Sequence, residues 1–150
     1  MTIKEVKPIN FIFFRTDATV NELYKLLPVG QELFKEAVAH NLPITGPVHW
    51  HYFGFNGDPN QTFQLEIALP VGEILDEYDG KFHFKRTAPF KCVSSVHEGA
   101  WDEIPYTYDK MMQFIFKHKM EASAINREIY VNTDFDSPDA NVTEIQIGLN

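Results

Sequence analysis

The period of the hydrophobic pattern changes several times along the first half of the chain, and each change predicts an element. A short apolar run at 9–14 is typical of a strand. Apolar residues at helical spacing then predict an amphipathic helix that ends near Asn41: they are Leu33, Phe34, Ala37 and Val38. Residues 48–55 are dense in aromatic side chains, and a turn-forming cluster at 56–60 follows them. At 63–69 large apolar residues alternate with Gln64, Glu66 and Ala68, which predicts a half-buried strand.

The second half of the chain repeats this order of elements. The pattern predicts strands at 90–96, 125–131 and 142–149, a helix from about Tyr108 to Met120, and a connecting strand at 82–86. Each half therefore reads strand, helix, strand, strand, and the last strands, 63–69 and 143–149, can be aligned residue by residue. We infer a duplicated unit with a pseudo-two-fold axis, in which each helix covers one face of the sheet. The other faces are expected to curve together around a groove.

Strand alternation predicts which side chains face that groove. In the strand at 125–131 we expect the core beneath a helix to be formed by Ile125, Ile129 and Val131. Glu128 and Tyr130 then point the opposite way, toward the groove. The same reasoning places Glu66 opposite the core of its strand. In the aromatic strand, Trp50 and Tyr52 share one face.

The residues around Glu128 set its candidate chemistry. Its expected neighbours are Tyr130 on the same strand face and Trp50 or Tyr52 from the related strand. A carboxylate among aromatic rings can pair with a cation that the rings also attract, each ring contributing about 0.5–2 kcal/mol. Alternatively, desolvation can raise the pKa of the carboxyl so that it acts as a general base toward water. A third reading is an exposed carboxylate on a solvated sheet face, and the sequence leaves all three open.

Composition and charge narrow the class of protein. The chain has 150 residues, 44% hydrophobic and 23% charged, which is ordinary for one globular domain. Its net charge of −8 and scattered basic residues argue against direct nucleic-acid binding. No stretch approaches the roughly 18 consecutive apolar residues of a membrane helix, and no secretory signal is evident. With a single cysteine, Cys92, we expect a cytoplasmic location.

Candidate metal and nucleophile motifs are weak. His49 and His51 lie two residues apart on one strand face, and His97 is a candidate third ligand, but no further signature supports a metal site. Cys92 lies in a strand and is expected to be a core residue. The chain has no Gly-x-Ser-x-Gly elbow and no phosphate-cradling glycine motif. We therefore expect no metal and no cofactor.

The ordered set of motifs resembles the GyrI-like small-molecule-binding domain, also called the AraC-type effector-binding domain. The matching segments are Gly46-Pro47 before the strand with Tyr52, the acidic strand 63–71 that closes in Pro-Val, His97-Glu-Gly-Ala-Trp101, Arg127-Glu-Ile-Tyr130 and the terminal 143–147. The family commonly has His-x-Gly-Pro-Tyr where this chain has His-Glu-Gly-Ala-Trp, and this difference changes the shape of the pocket.

The resemblance implies a stand-alone α+β domain of residues 1–150, with duplicated β-α-β-β units, an antiparallel sheet, two helices on one face and a central ligand cleft. It also implies that Glu128 sits in the cleft and meets cationic, often aromatic ligands. Tyr130, Trp101 and Tyr52 would form the walls by the same matching. The full set of expected ligand-binding residues is Glu128, Tyr130, Trp101, Tyr52, Trp50, Glu66 and His97.

Four functions follow as hypotheses. The leading one is a non-catalytic binder of a cationic or amphiphilic small molecule, with no membrane or direct nucleic-acid partner; a transcriptional role would need another chain. The second is a hydrolase of reactive xenobiotics with Glu128 as general base. The third is a gyrase-inhibitor-like interaction with a protein partner, and the fourth is haem carriage through His49 or His97.

Overall fold

The computed structural model describes residues 1–150, and its eight strands form one antiparallel sheet. The elements are β1 (Thr2–Val6), β2 (Asn10–Ala18), α1 (Val29–Ala39), β3 (His49–Phe53), β4 (Phe63–Pro70), β5 (His83–Arg86), β6 (Phe90–Glu98), α2 (Ile104–Lys117), β7 (Ala122–Asn132) and β8 (Val142–Leu149). Short 3₁₀ turns span Val20–Leu26, Trp101–Glu103 and Pro138–Ala140. The expected α+β class is confirmed. Neither helix has the length and apolar composition needed to cross a membrane.

The order of the strands in the sheet displays the duplication. The order is β1-β6-β8-β7-β3-β4-β2-β5, with β7 and β3 paired at the centre. On one side of this pair lie β8 and β6, and on the other side lie β4 and β2 in mirrored sequence. Each half therefore contributes a strand, a helix and two further strands. The remaining strands, β1 and β5, extend the two edges of the sheet.

The two helices also end in the same way. Beyond α1, Asn41 adopts a left-handed φ of 56°, and beyond α2, Lys119 adopts a φ of 57°. The next residues complete the motif, because Leu42 N–H donates to the Ala37 carbonyl at 2.9 Å and Met120 N–H donates to the Ile115 carbonyl at 3.0 Å. This pattern is the Schellman helix end, and the two units share it.

Both helices pack on one side of the sheet, which we call the helical face. Buried side chains of α1 pack with those of the first unit, and they form a cluster with Ile12, Leu33, Ala37, Leu65, Ile67 and Leu69 among its members. The α2 cluster consists of Val93, Ile104, Met111, Ile115, Ile145 and Ile147. The other side of the sheet, the opposite face, carries Phe11, Phe13 and Ala68 as its apolar cluster.

The register of the central strands corrects the expected orientation of β7. Glu128 pairs with Trp50 on β3 and with Ile145 on β8, and directly paired residues point to the same side of an antiparallel sheet. Glu128 therefore lies on the helical face, between the helices. The expectation that Ile125, Ile129 and Val131 form the core beneath a helix was wrong, and Val131 is 55% exposed. The reason is that central strands are covered on both faces. Ile129 is buried on the opposite face, so its apolar character did not reveal which face the helices cover.

Candidate functional site

Glu128 is a buried acid in the middle of β7, on the helical face of the sheet. Its side chain is buried, and the residue is 7% exposed. The hydroxyls of Tyr108 and Tyr130 each donate a hydrogen bond of 2.7 Å to the carboxylate, one to Oε2 and one to Oε1. The Tyr52 hydroxyl donates a longer bond of 3.4 Å to Oε1. The three donors come from α2, β7 and β3, so both units of the duplication contribute to this contact.

Burial and hydrogen bonding shift the pKa of Glu128 in opposite directions. Burial raises the pKa of the Glu128 carboxyl, while the bonds from Tyr130, Tyr108 and Tyr52 lower it and leave a net increase. Burial, together with the charge of Glu128, raises the pKa of all three hydroxyls well above their usual range, so they remain donors. No lysine or arginine forms an ion pair with Glu128.

Aromatic rings surround the carboxylate. The Tyr130 ring meets the Trp50 ring edge to face at a centroid distance of 6.0 Å and the Trp101 ring at 5.4 Å. Trp101 in turn meets Phe135 at 5.8 Å. The Phe135 ring is 73% exposed, and the buried Trp101 Nε1–H has no hydrogen-bond partner. Phe135, Trp101 and Tyr130 thus form a continuous series of ring contacts between the solvent and Glu128.

A cavity of about 330 Å³ opens beside this cluster. It is lined by Gly30, Gln31, Phe34, Ile44, Gly46, Pro47, Val48, Leu69, Tyr130 and Thr133. Tyr130 contributes to both features, since it lines the cavity and its hydroxyl donates a hydrogen bond to Glu128. The cavity and the carboxylate are therefore adjacent to the same residue.

His97 lies on the helical face, but its ring is fully engaged. Its Nδ1 is 2.8 Å from the Thr107 hydroxyl, and its Nε2 is 2.9 Å from the Ala100 carbonyl. Because a carbonyl can only accept, Nε2 carries a hydrogen and donates it to Ala100. His97 therefore holds the turn before Trp101.

Glu66 lies on the opposite face and does not join the Glu128 cluster. It is buried and forms ion pairs with Arg15, at 2.7 Å, and with Lys85. Its neighbours in β4, Leu65 and Ile67, point to the helical face, so alternation sends Glu66 the other way. Sequence reasoning placed Glu66 and Glu128 on one face because it assigned the helical face of β7 wrongly.

The three histidines considered for a metal do not meet. His49 and His51 lie on the opposite face, with His49 Nδ1 at 3.1 Å from His51 Nε2, whereas His97 lies on the helical face. No group of three or more His, Cys, Asp or Glu side chains is placed to hold a metal ion. Burial lowers the pKa of His49 to about 3 and the pKa of His51 well below its usual range, so both rings are neutral.

Sequence reasoning missed one member of the site. Tyr108 was predicted only as the approximate start of the second helix, yet its hydroxyl makes a 2.7 Å bond to Glu128. One feature of the sequence could have indicated this role. Met111, Met112 and Ile115 follow Tyr108 at helical spacing, and Tyr108 is the only one of these four residues with a hydroxyl group. A buried tyrosine hydroxyl generally has a hydrogen-bond partner. A hydrogen bond from Tyr108 to the predicted acid Glu128 could therefore have been expected.

Comparisons with known proteins identify the family and the fold of this chain. The GyrI-like small molecule binding domain family matches residues 1–150. The EcmrR C-terminal domain is 19% identical with a TM-score of 0.81, covering 99% of this chain and 96% of that domain. SAV2435 bound to tetraphenylphosphonium is 12% identical with a TM-score of 0.67, covering 99% and 93%. A hydrolase from Listeria innocua is 13% identical with a TM-score of 0.67, covering 99% and 91%.

These structural likenesses establish the fold. In an EcmrR–DNA complex, at 21% identity and a TM-score of 0.81, the match covers 99% of this chain but only 56% of the EcmrR chain. No curated protein matches the chain. The family match over the whole length, the duplicated units and the expected resemblance agree, and the chain belongs to the GyrI-like small-molecule-binding domain family.

Proposed function

We propose that residues 1–150 form a single unit that binds a small aromatic or amphiphilic cation between α1 and α2, with Glu128 as its counter-charge. The observation that carries this proposal is the environment of Glu128, a buried carboxylate with three hydroxyl donors and no cationic partner in the chain. An unpaired buried charge is costly, and a bound cation offsets that cost.

The rings around Glu128 favour the same class of ligand. Tyr130, Trp50 and Trp101 form a connected set of aromatic side chains beside the acid, and each ring face that meets a cation adds about 0.5–2 kcal/mol. The net charge of −8 also favours the approach of cations. The phosphonium cation bound by SAV2435, a protein of the same fold, supports this ligand class.

We propose that the ligand enters through the cavity lined by Phe34 and Tyr130. Glu128 itself is 7% exposed, so a ligand reaches it only after the Tyr130 ring moves aside. Such a movement breaks the Tyr130–Glu128 hydrogen bond, and the arriving cation takes over the stabilisation of the carboxylate.

The test is a titration with tetraphenylphosphonium, followed by the fluorescence of the two tryptophans. Trp50 and Trp101 flank Tyr130, so the emission should change on binding. Methyltriphenylphosphonium and neutral triphenylphosphine oxide each carry three phenyl rings, and the neutral oxide should bind at least roughly tenfold more weakly than this cation. Glu128→Gln keeps the shape of the side chain and removes the charge. Equal affinity of the wild type and Glu128→Gln for the cation would exclude Glu128 as the counter-charge.

Hydrolysis is the second candidate function, and one observation favours it. The pKa of Glu128 is raised by burial, and a carboxylate with a raised pKa is a better general base toward water. The likeness to the Listeria innocua hydrolase is compatible with this role. Incubation with an activated ester, p-nitrophenyl acetate, tests it: product that accumulates beyond one equivalent and is lost in Glu128→Gln supports catalysis. An identical rate in Glu128→Gln rejects Glu128 as the base.

A further inference from the structure

A second cavity lies on the opposite face of the sheet. It has a volume of about 300 Å³ and is lined by His51, Phe53, Lys85, Thr87, Ala88, Pro89, Phe90, Ile125 and Arg127. Arg127 and Glu128 are neighbours in β7, so their side chains point to opposite faces. The sheet therefore separates this opposite-face cavity from Glu128 and its hydroxyl donors.

Arg127 is the unusual residue of this cavity. It is 6% exposed, and its guanidinium forms no ion pair and no hydrogen bond; Nη1 is fully buried without a partner. The guanidinium carbon lies 3.9 Å from the centroid of the Phe90 ring, so the group stacks on an aromatic face. Burial lowers the pKa of Arg127 to about 10, which leaves it charged at neutral pH. Buried charges in proteins are normally paired.

The carboxylates of this face are already used by other groups. Glu66 is held by Arg15 and Lys85. Glu144 is held by Lys4 at 2.7 Å and accepts further hydrogen bonds from Ser94 and Gln146. Arg127 therefore has no direct carboxylate partner, and Glu66 favours its charged form only from a distance.

Lys85 adds a second positive charge at the edge of the cavity. Its side chain is 22% exposed, and its Nζ lies 3.2 Å from His51 Nδ1. Since an ammonium can only donate, His51 accepts here and is neutral. Lys85 and Arg127 thus bring two positive charges to the lining of this cavity, and Lys85 is the one of the two that forms an ion pair.

We propose that the opposite-face cavity binds a small organic carboxylate, with Arg127 and Lys85 meeting the carboxylate group. The planar guanidinium matches a carboxylate in geometry and bonds it with two parallel hydrogen bonds. The rest of the lining is mostly apolar, from Phe53, Ala88, Pro89, Phe90 and Ile125, and suits a hydrocarbon or aromatic body. Inorganic phosphate would leave this apolar surface without a partner, so the carboxylate is favoured.

Calorimetric titration with benzoate tests the proposal, with benzamide as its neutral analogue of the same shape. Benzoate should bind saturably at millimolar concentration or below, and benzamide should bind at least roughly tenfold more weakly, because it lacks the charge that Arg127 pairs with. Arg127→Met keeps the stem over Phe90 and removes the charge, and it should lower benzoate affinity by a similar factor. Arg86→Met is the matched control: it removes an exposed arginine that does not line this cavity, and it should bind benzoate as the wild type does.

Each other outcome contradicts the proposal. Equal binding of benzoate and benzamide, or unchanged benzoate affinity in Arg127→Met, would remove Arg127 as the anion partner. Tighter binding of inorganic phosphate than of benzoate would reject an organic carboxylate as the ligand class. If Arg127→Met does not fold, Arg127→Gln takes its place, and the comparison of benzoate with benzamide in the wild type decides without any variant.

Discussion

The Tyr108 hydroxyl of α2 donates a 2.7 Å hydrogen bond to Oε2 of Glu128, the acid at the centre of β7. This bond joins the second helix to the middle of the sheet, and it stabilises the ionised form of a carboxyl whose pKa burial raises. The Tyr108 hydroxyl therefore links the position of α2 to the ionisation of Glu128. Tyr130 supplies the equivalent bond to Oε1 from the strand itself.

We expect the affinity for tetraphenylphosphonium to depend on pH. Only ionised Glu128 attracts a cation, and its pKa in the free protein is raised above the usual value of about 4.5. Affinity should be constant at pH values above this raised pKa and should fall as pH decreases through it, approaching about tenfold per pH unit. Fluorescence titrations at a series of pH values measure the profile. Glu128→Gln should give a flat profile, and a wild-type profile as flat as that of the variant would contradict the role of the acid.

Tyr108→Phe should move that profile to higher pH. Removing the hydroxyl takes away a bond that favours the carboxylate, and a hydrogen bond to a charged group is worth about 1.5–3 kcal/mol, so the midpoint should rise by about one pH unit or more. The affinity on the plateau should change little, because the ionised acid is still present there.

Tyr106→Phe is the matched control for this shift. Tyr106 lies on the same helix, is 69% exposed and makes no hydrogen bond to Glu128. Its variant should keep the wild-type midpoint. A midpoint that stays in place in Tyr108→Phe, or moves equally in both variants, would show that the Tyr108 bond does not control the ionisation of Glu128.

Helices and strands were predicted well where the hydrophobic pattern of a segment has one clear period. Alternation in β4 and β8 and the helical spacing in α1 and α2 gave the duplicated order, which the sheet confirms. The strand β1 was missed because Thr2–Val6 is short and largely exposed on a sheet edge, so no apolar periodicity marks it. Its pairing with β6 is set by tertiary contact.

The site was harder to predict than the fold. Glu128 and Tyr130 were expected together, and Tyr130 does bond Glu128 in the structure. Their face was assigned wrongly because β7 is buried on both sides, with Ile129 and Arg127 on the side away from the helices. Alternation groups the residues of a strand into two sets, but it does not say which set lies beneath the helices. That choice is made by packing between distant segments.

The paired imidazoles of the opposite face should resist protonation. His51 accepts from Lys85 at Nδ1 and donates from Nε2 to His49 Nδ1 at 3.1 Å. Burial lowers the pKa of His49 to about 3 and that of His51 well below its usual range. The ring proton signals of both residues should therefore stay constant in NMR spectra from about pH 8 to about pH 5. Assignment by His49→Gln and His51→Gln identifies the two signals, and a midpoint near 6.5 for either would contradict the neutral pair.

Lys119→Gly should stabilise the protein by relieving the end of α2. Lys119 has a φ of 57° and an exposed side chain. The left-handed region costs a residue with a Cβ about 1–2 kcal/mol, and the extra freedom of glycine in the unfolded chain offsets about 0.5–1 kcal/mol of the gain. The free energy of unfolding, measured by urea denaturation, should thus rise by about 0.5–1 kcal/mol.

Asn41→Gly at the end of α1 provides the matched comparison for Lys119→Gly. Asn41 has nearly the same φ, 56°, but asparagine tolerates this conformation better than lysine because its short polar side chain bonds locally. The gain at Asn41 should therefore be smaller than the gain at Lys119. An equal or larger gain at Asn41 would mean that the left-handed φ alone does not govern stability at the two helix ends, and that neighbouring contacts differ between the two units.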